Sequence, residues 1–219
     1  MTSGFLTAGE LSAFSGQLPA SIFAVVHASP SIRGPRRPQP GAARYPAVMD
    51  LKHYIRDVPD FPQPGVLFRD ITPLLRDPAA RAFAIDQMCD YVKSRSVTAI
   101  AGIESRGFLF GVPIADRLGL PFVPVRKPGK LPAAHMSIEY SLEYGTGSLD
   151  IHEDALAPGD RVVVVDDLLA TGGTALATCK LVEMLGATVD SLLFLVDLPT
   201  LGGRAKLPHY EIKSFITYT

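Results

Sequence analysis

An α/β fold, a parallel sheet with helices on both faces, is predicted by three observations. Residues 162–165 are consecutive valines, the mark of a strand buried on both faces. That strand ends at the acids Asp166 and Asp167 and a small glycine- and threonine-rich turn, Ala170 to Thr174, which opens onto a helical pattern. Apolar strands alternate with helical patterns from residue 97 onward, and such alternation returns parallel strands through helical crossovers.

The elements follow in order from Met49. Leu51, Tyr54, Ile55 and Val58 recur at helical spacing, which predicts a short helix near 50–57. Residues 58–76 are broken by prolines and a glycine and read as a loop. Residues 78–93 place Phe83, Ala84, Met88, Tyr91 and Val92 on one helical face. A strand is predicted at 97–102, a helix at 107–118 and a strand at 121–126. Residues 138–152 read as a hairpin with Gly145, Thr146 and Gly147 at the bend. Strand 161–166, helix 173–185, strand 188–196 and a last strand near 212–218 complete the chain.

Composition narrows the function. The chain has 219 residues, 47% hydrophobic and 20% charged, which suits one globular domain with an appendage. A net charge of −1 offers no field for nucleic acid or a membrane surface. No apolar run approaches the roughly 20 residues of a membrane helix. Cys89 and Cys179 lie far apart in helical patterns and read as free core thiols of a reducing compartment. The five histidines show no metal-ligand spacing.

Residues 1–48 differ from the rest. They are rich in proline and serine, and their charges are Arg33, Arg36, Arg37 and Arg44 against Glu10 alone. This +3 segment leaves −4 for the remainder. Residues 30–48 have neither helical nor strand period and are expected to be disordered. Arginines with few acids fit an organelle transit peptide; a start assigned too early, with Met49 opening the first helical pattern, fits better. The expected domain is therefore 49–219.

The residues after the valine strand carry the chemistry. In an open α/β sheet, ligands gather at the carboxyl ends of the strands. The turn Ala170, Thr171, Gly172, Gly173, Thr174 offers backbone N–H groups, hydroxyls and a helix N-terminus to a phosphate. Asp166 and Asp167 suit vicinal hydroxyls instead. A phosphate cradle beside a diol acceptor matches a ribose 5-phosphate. The chain has neither a Gly-x-x-x-x-Gly-Lys-Ser/Thr loop nor a Gly-x-Gly-x-x-Gly turn after a strand.

Residues 104–107, Glu-Ser-Arg-Gly, end a strand with N–H groups, a hydroxyl and a guanidinium, a receptor suited to a diphosphate. A plain turn is the other reading. Arg126, Lys127 and Lys130 follow another strand and either meet the same anion or form a solvated face. The loop at 60–75 presents Phe68, which either stacks on a flat heterocycle or anchors the loop in the core. Residues 140–147 read, from spacing alone, as a simple hairpin with Glu143 as a surface charge.

Taken together, these blocks resemble one family, the adenine phosphoribosyltransferases, over about residues 50–217. The segment 162–175 resembles the signature that binds 5-phosphoribosyl 1-diphosphate (PRPP). The loop at 60–75 and Tyr-Ser-Leu-Glu-Tyr-Gly at 140–145 are the blocks most particular to the adenine enzymes. The resemblance implies a type I phosphoribosyltransferase fold with a small hood or lid. It also implies the reaction of adenine with PRPP to give AMP and diphosphate, with Mg²⁺ held mainly by PRPP and water.

By the same resemblance, Ala170 to Thr174 hold the 5′-phosphate and Asp166 and Asp167 face the ribose hydroxyls. Arg106, Ser105, Arg126, Lys127 and Lys130 take the diphosphate, and the Glu104–Ser105 peptide is expected to be cis. Leu67, Phe68 and Arg69 are expected to hold adenine, largely through the backbone and a stacking ring. The hairpin at 138–152 is expected to be the lid, with Glu143 as acid/base or electrostatic aid and Tyr144 beside it. A homodimer through 78–93 and 107–118 and a cytoplasmic location are also expected. Two rivals stand beside this reading. One is an enzyme for a 6-oxo purine, for which the loop at 60–75 supplies no obvious donor. The other is a PRPP-sensing regulator, for which residues 1–48 have too little helical period to form a DNA-binding domain.

Overall fold

The computed structural model describes residues 45–141 and 146–218. A single 3-10 turn, Leu51–Tyr54, is capped by the Asp50 carboxylate, which accepts from the Lys52 N–H at 3.0 Å. Strands β1 (Arg56–Pro59) and β2 (Leu67–Asp70) then pair antiparallel. The helix expected at 50–57 is thus cut short, and the loop expected at 58–76 contains β2 and a short helix α1 (Thr72–Arg76). Long-range pairing overrides the local helical spacing here. Its register is pinned by Arg56, whose Nε donates to Asp70 Oδ2 at 3.0 Å.

Helix α2 (Pro78–Lys93) starts where the sequence signals it. Pro78 occupies the first turn, and the Asp77 carboxylate accepts from the N–H groups of Ala79 and Ala80, both at 2.9 Å. There follow β3 (Ala99–Ile103), α3 (Phe108–Leu118), β4 (Phe122–Val125), the hairpin strands β5 (His135–Ser141) and β6 (Thr146–His152), and β7 (Arg161–Leu169). Helix α4 (Gly173–Met184), β8 (Thr188–Asp197) and β9 (Ile212–Thr217) close the domain.

Five strands form one parallel sheet in the order β4-β3-β7-β8-β9. Side chains alternate across a strand, so the valine run of β7 feeds two cores. Val163 and Val165 join Phe83, Met88, Phe110 and Ile114 of α2 and α3 on one face. Val162 and Val164 join Leu181 and Val182 of α4 and Leu149 and Ile151 of β6 on the other. Cys89 and Cys179 are buried in these two layers, and burial pushes the Cys179 thiol up to about 12.

Two further expectations are corrected. Strand β7 runs three residues beyond 166, because Leu168 and Leu169 still pair with Val196 and Asp197 of β8. Asp166 and Asp167 therefore lie within the strand. Thr146 and Gly147 are not at the hairpin bend; they pair with Ser141 and Tyr140, and Gly145 lies outside the described residues. The hairpin is tied to the main sheet by the mutual backbone hydrogen bonds of Arg126 and Asp150, 2.9 and 2.7 Å.

Candidate active site

The carboxyl end of β7 and the turn into α4 line a cleft of about 190 Å³. Its walls are Asp166, Asp167, the residues from Ala170 to Thr174, Arg106 and Phe194. Strand β7 and its neighbours deliver the two acids, and Gly172, at φ 77°, turns the chain so that α4 begins at the cleft. That conformation belongs to glycine. The turn also rests on a second glycine. A Cβ on Gly203 would meet the Ala170 carbonyl oxygen at 2.3 Å, and one on Gly172 would meet the Gly203 carbonyl oxygen at 2.6 Å. The 3-10 turn Gly203–Lys206 is thus a floor beneath the cradle.

This floor escaped the sequence reading. The Gly202-Gly203 pair was its signal, since adjacent glycines mark turns and close backbone approach. Arg204 holds the floor to the sheet: its Nε donates to the buried Asp197 carboxylate at 2.6 Å, and its Nη2 donates to Ser214 at 3.2 Å. Asp197 Oδ1 is buried without a hydrogen-bond partner.

The two cleft acids sit where ionisation is costly. Asp167 is only 2% exposed, and burial pushes its carboxyl up against the opposing pull of Arg106. Asp166, half-buried, is pushed well up by loss of solvent and then by the neighbouring Asp167 charge. One Asp166 oxygen accepts from the Asp167 N–H at 2.9 Å.

Arg106 is the junction of the site. Its Nε lies 3.0 Å from Asp167 Oδ2, and its guanidinium carbon stands 5.5 Å from the Phe68 ring centre. One side chain thus bridges the β7 acids and the aromatic strand β2. Phe68 is steadied by an edge-on contact with Phe61, ring centres 5.2 Å apart. The Glu104–Ser105 peptide that leads into Arg106 is cis.

The remaining expected residues distribute around this junction. Leu67 is exposed, and the Arg69 side chain turns to the other face of β2, pairing with Asp57 and lying 3.8 Å over the Tyr218 ring. Strand alternation separates Arg69 from Phe68 in this way. Arg126 lies one strand away, on the chain leaving β4. Its Nε donates to Glu104 Oε2 at 3.0 Å, and the Lys127 N–H donates to the same oxygen at 3.0 Å. Arg126, with the Lys127 backbone, holds the Glu104 carboxyl below its usual range. Lys127, Lys130 and Ser105 are exposed. Glu143 and Tyr144 lie outside the described residues.

The arrangement can bind an anion at the Ala170–Thr174 turn, accept hydroxyls at Asp166, and hold a second anion and a flat ring around Arg106. Comparison with known proteins gives the family. Residues 74–211 match the family described as a phosphoribosyl transferase domain. An adenine phosphoribosyltransferase of Synechococcus is 57% identical over 170 residues, spanning 78% of this chain and 99% of that one. The crystal structure of adenine phosphoribosyltransferase from Thermoanaerobacter pseudethanolicus aligns with a TM-score of 0.75 at 56% identity, covering 77% of this chain and 98% of that chain. The Saccharomyces cerevisiae enzyme, crystallised with adenine and D-2,5-dideoxy-2,5-imino-altritol 1,6-bisphosphate, aligns with a TM-score of 0.71 at 39% identity, over 75% of this chain and 95% of that one.

Proposed function

The chain belongs to the adenine phosphoribosyltransferases, and from that premise we propose that it converts adenine and PRPP to AMP and diphosphate in the cleft at the end of β7. The observation that carries the reading is Arg106, set between a diol-accepting acid pair and an aromatic ring.

In this reading the Ala170–Thr174 turn holds the 5′-phosphate through N–H groups, hydroxyls and the start of α4. Asp166 and Asp167 accept the ribose hydroxyls. Leaving-group charge develops as the C1′–oxygen bond breaks, and N9 of adenine attacks the cation-like carbon from the opposite side. Arg106, the Ser105 turn, Arg126, Lys127 and Lys130 answer that charge. Phe68 stacks on the base, while Leu67 and Arg69 offer backbone groups to its edge. Glu143, with Tyr144 beside it, serves near the purine as acid/base or electrostatic aid, and the hairpin of β5 and β6 excludes water.

Mg²⁺ fits this donor set as a substrate-held ion. The described residues hold no group of three or more His, Cys, Asp or Glu able to cage a metal, whereas Mg²⁺ favours phosphate oxygens, waters and one or two carboxylates. Asp166, lining the cleft, and the buried Asp167, whose Oδ2 is ion-paired with Arg106, are the carboxylates at hand. Bound there, the ion would neutralise diphosphate charge.

The catalytic unit is proposed as residues 49–219, with 1–48 an appendage to it. No helix among the described residues is long and apolar enough to cross a membrane, and a cytoplasmic location is proposed. A homodimer through α2 and α3 is proposed, where Leu109 and Val112 are exposed.

Diphosphate release, measured with PRPP, Mg²⁺ and adenine, hypoxanthine, guanine or no base, tests the function. Turnover is expected with adenine; equal turnover with hypoxanthine would overturn the base assignment.

The acid pair adds a second expectation. Both carboxyls have folded pKa values above the ordinary 3.8, so the folded state binds more protons than the unfolded one between that value and the raised ones. Stability of the free protein therefore falls as pH rises through that window. Asp166→Asn removes the repulsion, so the free variant melts higher than the parent at neutral pH, and the two converge below pH 3.8. The same change loses a charge-assisted hydrogen bond to ribose, and kcat/KM for PRPP drops by about 10–100-fold. Thermal melts across pH and steady-state kinetics check both halves.

A further inference from the structure

We propose that Tyr140, a residue of the hairpin and not of the PRPP motif, positions the hydroxyl of Thr174 for the 5′-phosphate. The inference rests on the reading of Ala170–Thr174 as the phosphate cradle. The Tyr140 and Thr174 hydroxyl oxygens are 3.3 Å apart and hydrogen-bonded. Thr174 lies in the first turn of α4 and lines the cleft. Tyr140 comes from β5, thirty-four residues earlier in the chain, and reaches across from a separate sheet.

The geometry that brings them together is built into the hairpin. Tyr140 pairs directly with Gly147 across β5 and β6. A Cβ at position 147 would stand 2.8 Å from Tyr140 Cζ and 2.9 Å from its Oη. The ring therefore lies over residue 147, in space that any side chain there would take. Met136, Ile138 and Tyr140 of β5, together with Leu176 of α4, pack on the same core. The hairpin is thereby seated on the first turns of α4, with Ile138, Tyr140, Gly173, Leu176 and Ala177 lining the groove between them.

Hydrogen-bond accounting shows what the contact does. A threonine hydroxyl has one proton and two lone pairs. In the free protein that proton is shared with Tyr140. Once a phosphate oxygen accepts it, Thr174 Oγ1 is left as an acceptor, and the phenol of Tyr140 turns to donate into it. The result is a chain from Tyr140 through Thr174 to phosphate, in which each bond polarises the next. Tyr140 never touches the substrate. It selects the rotor of the residue that does.

The test is Tyr140→Phe, which keeps the ring over Gly147 and removes only the hydroxyl. The KM for PRPP and the Kd for ribose 5-phosphate are each expected to rise about 3- to 10-fold, the worth of one neutral hydrogen bond. The KM for adenine, kcat at saturating PRPP and the melting temperature stay at parental values. In a Thr174→Val background, which lacks the relayed hydroxyl, Tyr140→Phe is expected to change ribose 5-phosphate binding no further. A parental PRPP KM in Tyr140→Phe, or an equal loss in both backgrounds, would overturn the inference. A parental protein that makes AMP but shows either result overturns the inference alone. One that neither binds ribose 5-phosphate nor makes AMP overturns the enzyme reading beneath it.

Discussion

Arg106→Gln lowers kcat/KM for PRPP by about 10²–10³-fold, the cost of removing one preorganised donor from developing charge. Glutamine keeps a planar donor but is shorter and uncharged, so the loss combines the charge, the fork and the reach. Arg106 stands 3.0 Å from Asp167 Oδ2 and 5.5 Å from the Phe68 ring centre, with 41% of its side chain exposed. It is therefore anchored on the protein side and open on the other. An anion arriving from the cleft meets a guanidinium that is already oriented.

The change also strips the buried Asp167 of its cation. That carboxyl, already pushed up by burial and pulled down by Arg106, rises further in the variant. The variant is less stable than the parent where Asp167 is ionised, and the deficit shrinks as pH falls through the raised pKa. Arg106→Lys restores charge without the bidentate fork and recovers activity only in part. Steady-state kinetics with PRPP varied, paired with melts at several pH values, separate these effects. Activity of Arg106→Gln within about threefold of the parent would remove Arg106 from the diphosphate site.

Asp190→Ala lowers stability by about 2–3 kcal/mol, without touching the cleft. Asp190 sits at the opposite, amino end of the sheet, with its side chain 2% exposed. It accepts from Arg95 Nε, from Arg161 Nη2 at 2.5 Å and from Ser191 Oγ at 3.1 Å. Arg95 continues to Glu211 through bonds of 2.9 and 2.5 Å, and Tyr91 donates to Glu211 at 2.8 Å. One carboxylate thus ties the end of α2 to β7, β8 and the entry to β9. The arginines left behind retain water, and Arg95 retains Glu211, so the cost falls below that of stranding a fully buried ion.

For a domain of this size the melting temperature drops by about 5–10 °C. Asp190 also has an acid signature. Its burial opposes ionisation, but Arg95, Arg161 and Ser191 outweigh it and hold the carboxyl below 3.8. Its contribution is therefore complete above the ordinary carboxylate range and is lost as pH falls through the depressed folded value. Asp190→Asn should flatten the parent's acid limb, the reverse of the change expected from Asp166→Asn. Measured between pH 3 and pH 8, the melting-temperature differences of the two variants from the parent run in opposite directions with pH, and differences of the same sign of slope would refute one of the two assignments.

Much of this was legible in local chemistry. Consecutive valines are buried on both faces, because a strand sends alternate side chains to opposite sides. The cap at Asp77 and the proline behind it mark the start of α2 before any packing is considered. The turn Ala170–Thr174 carries the N–H groups and hydroxyls on which the proposed anion site rests. These features depend on residues within a few positions of each other, and their physics is local.

Other features depend on partners far along the chain. Strand β1 forms because β2 pairs with it, although residues 50–57 carry a helical spacing. Strand β7 carries Asp166 and Asp167 inside it because β8 continues alongside. That Arg106 stands against Phe68 is likewise set by packing between distant segments. The Gly203 floor and the Tyr140–Thr174 contact join segments 31 and 34 residues apart. By itself the sequence determined the parallel α/β class, its main helices and buried strands, and the glycine turn that opens α4. Tertiary structure decided the register, the extent of the acid-bearing strand and the neighbours of each functional group. The reason is that hydrogen bonds across strands and contacts across a cleft are selected by the whole chain's packing, against the preference of any one segment.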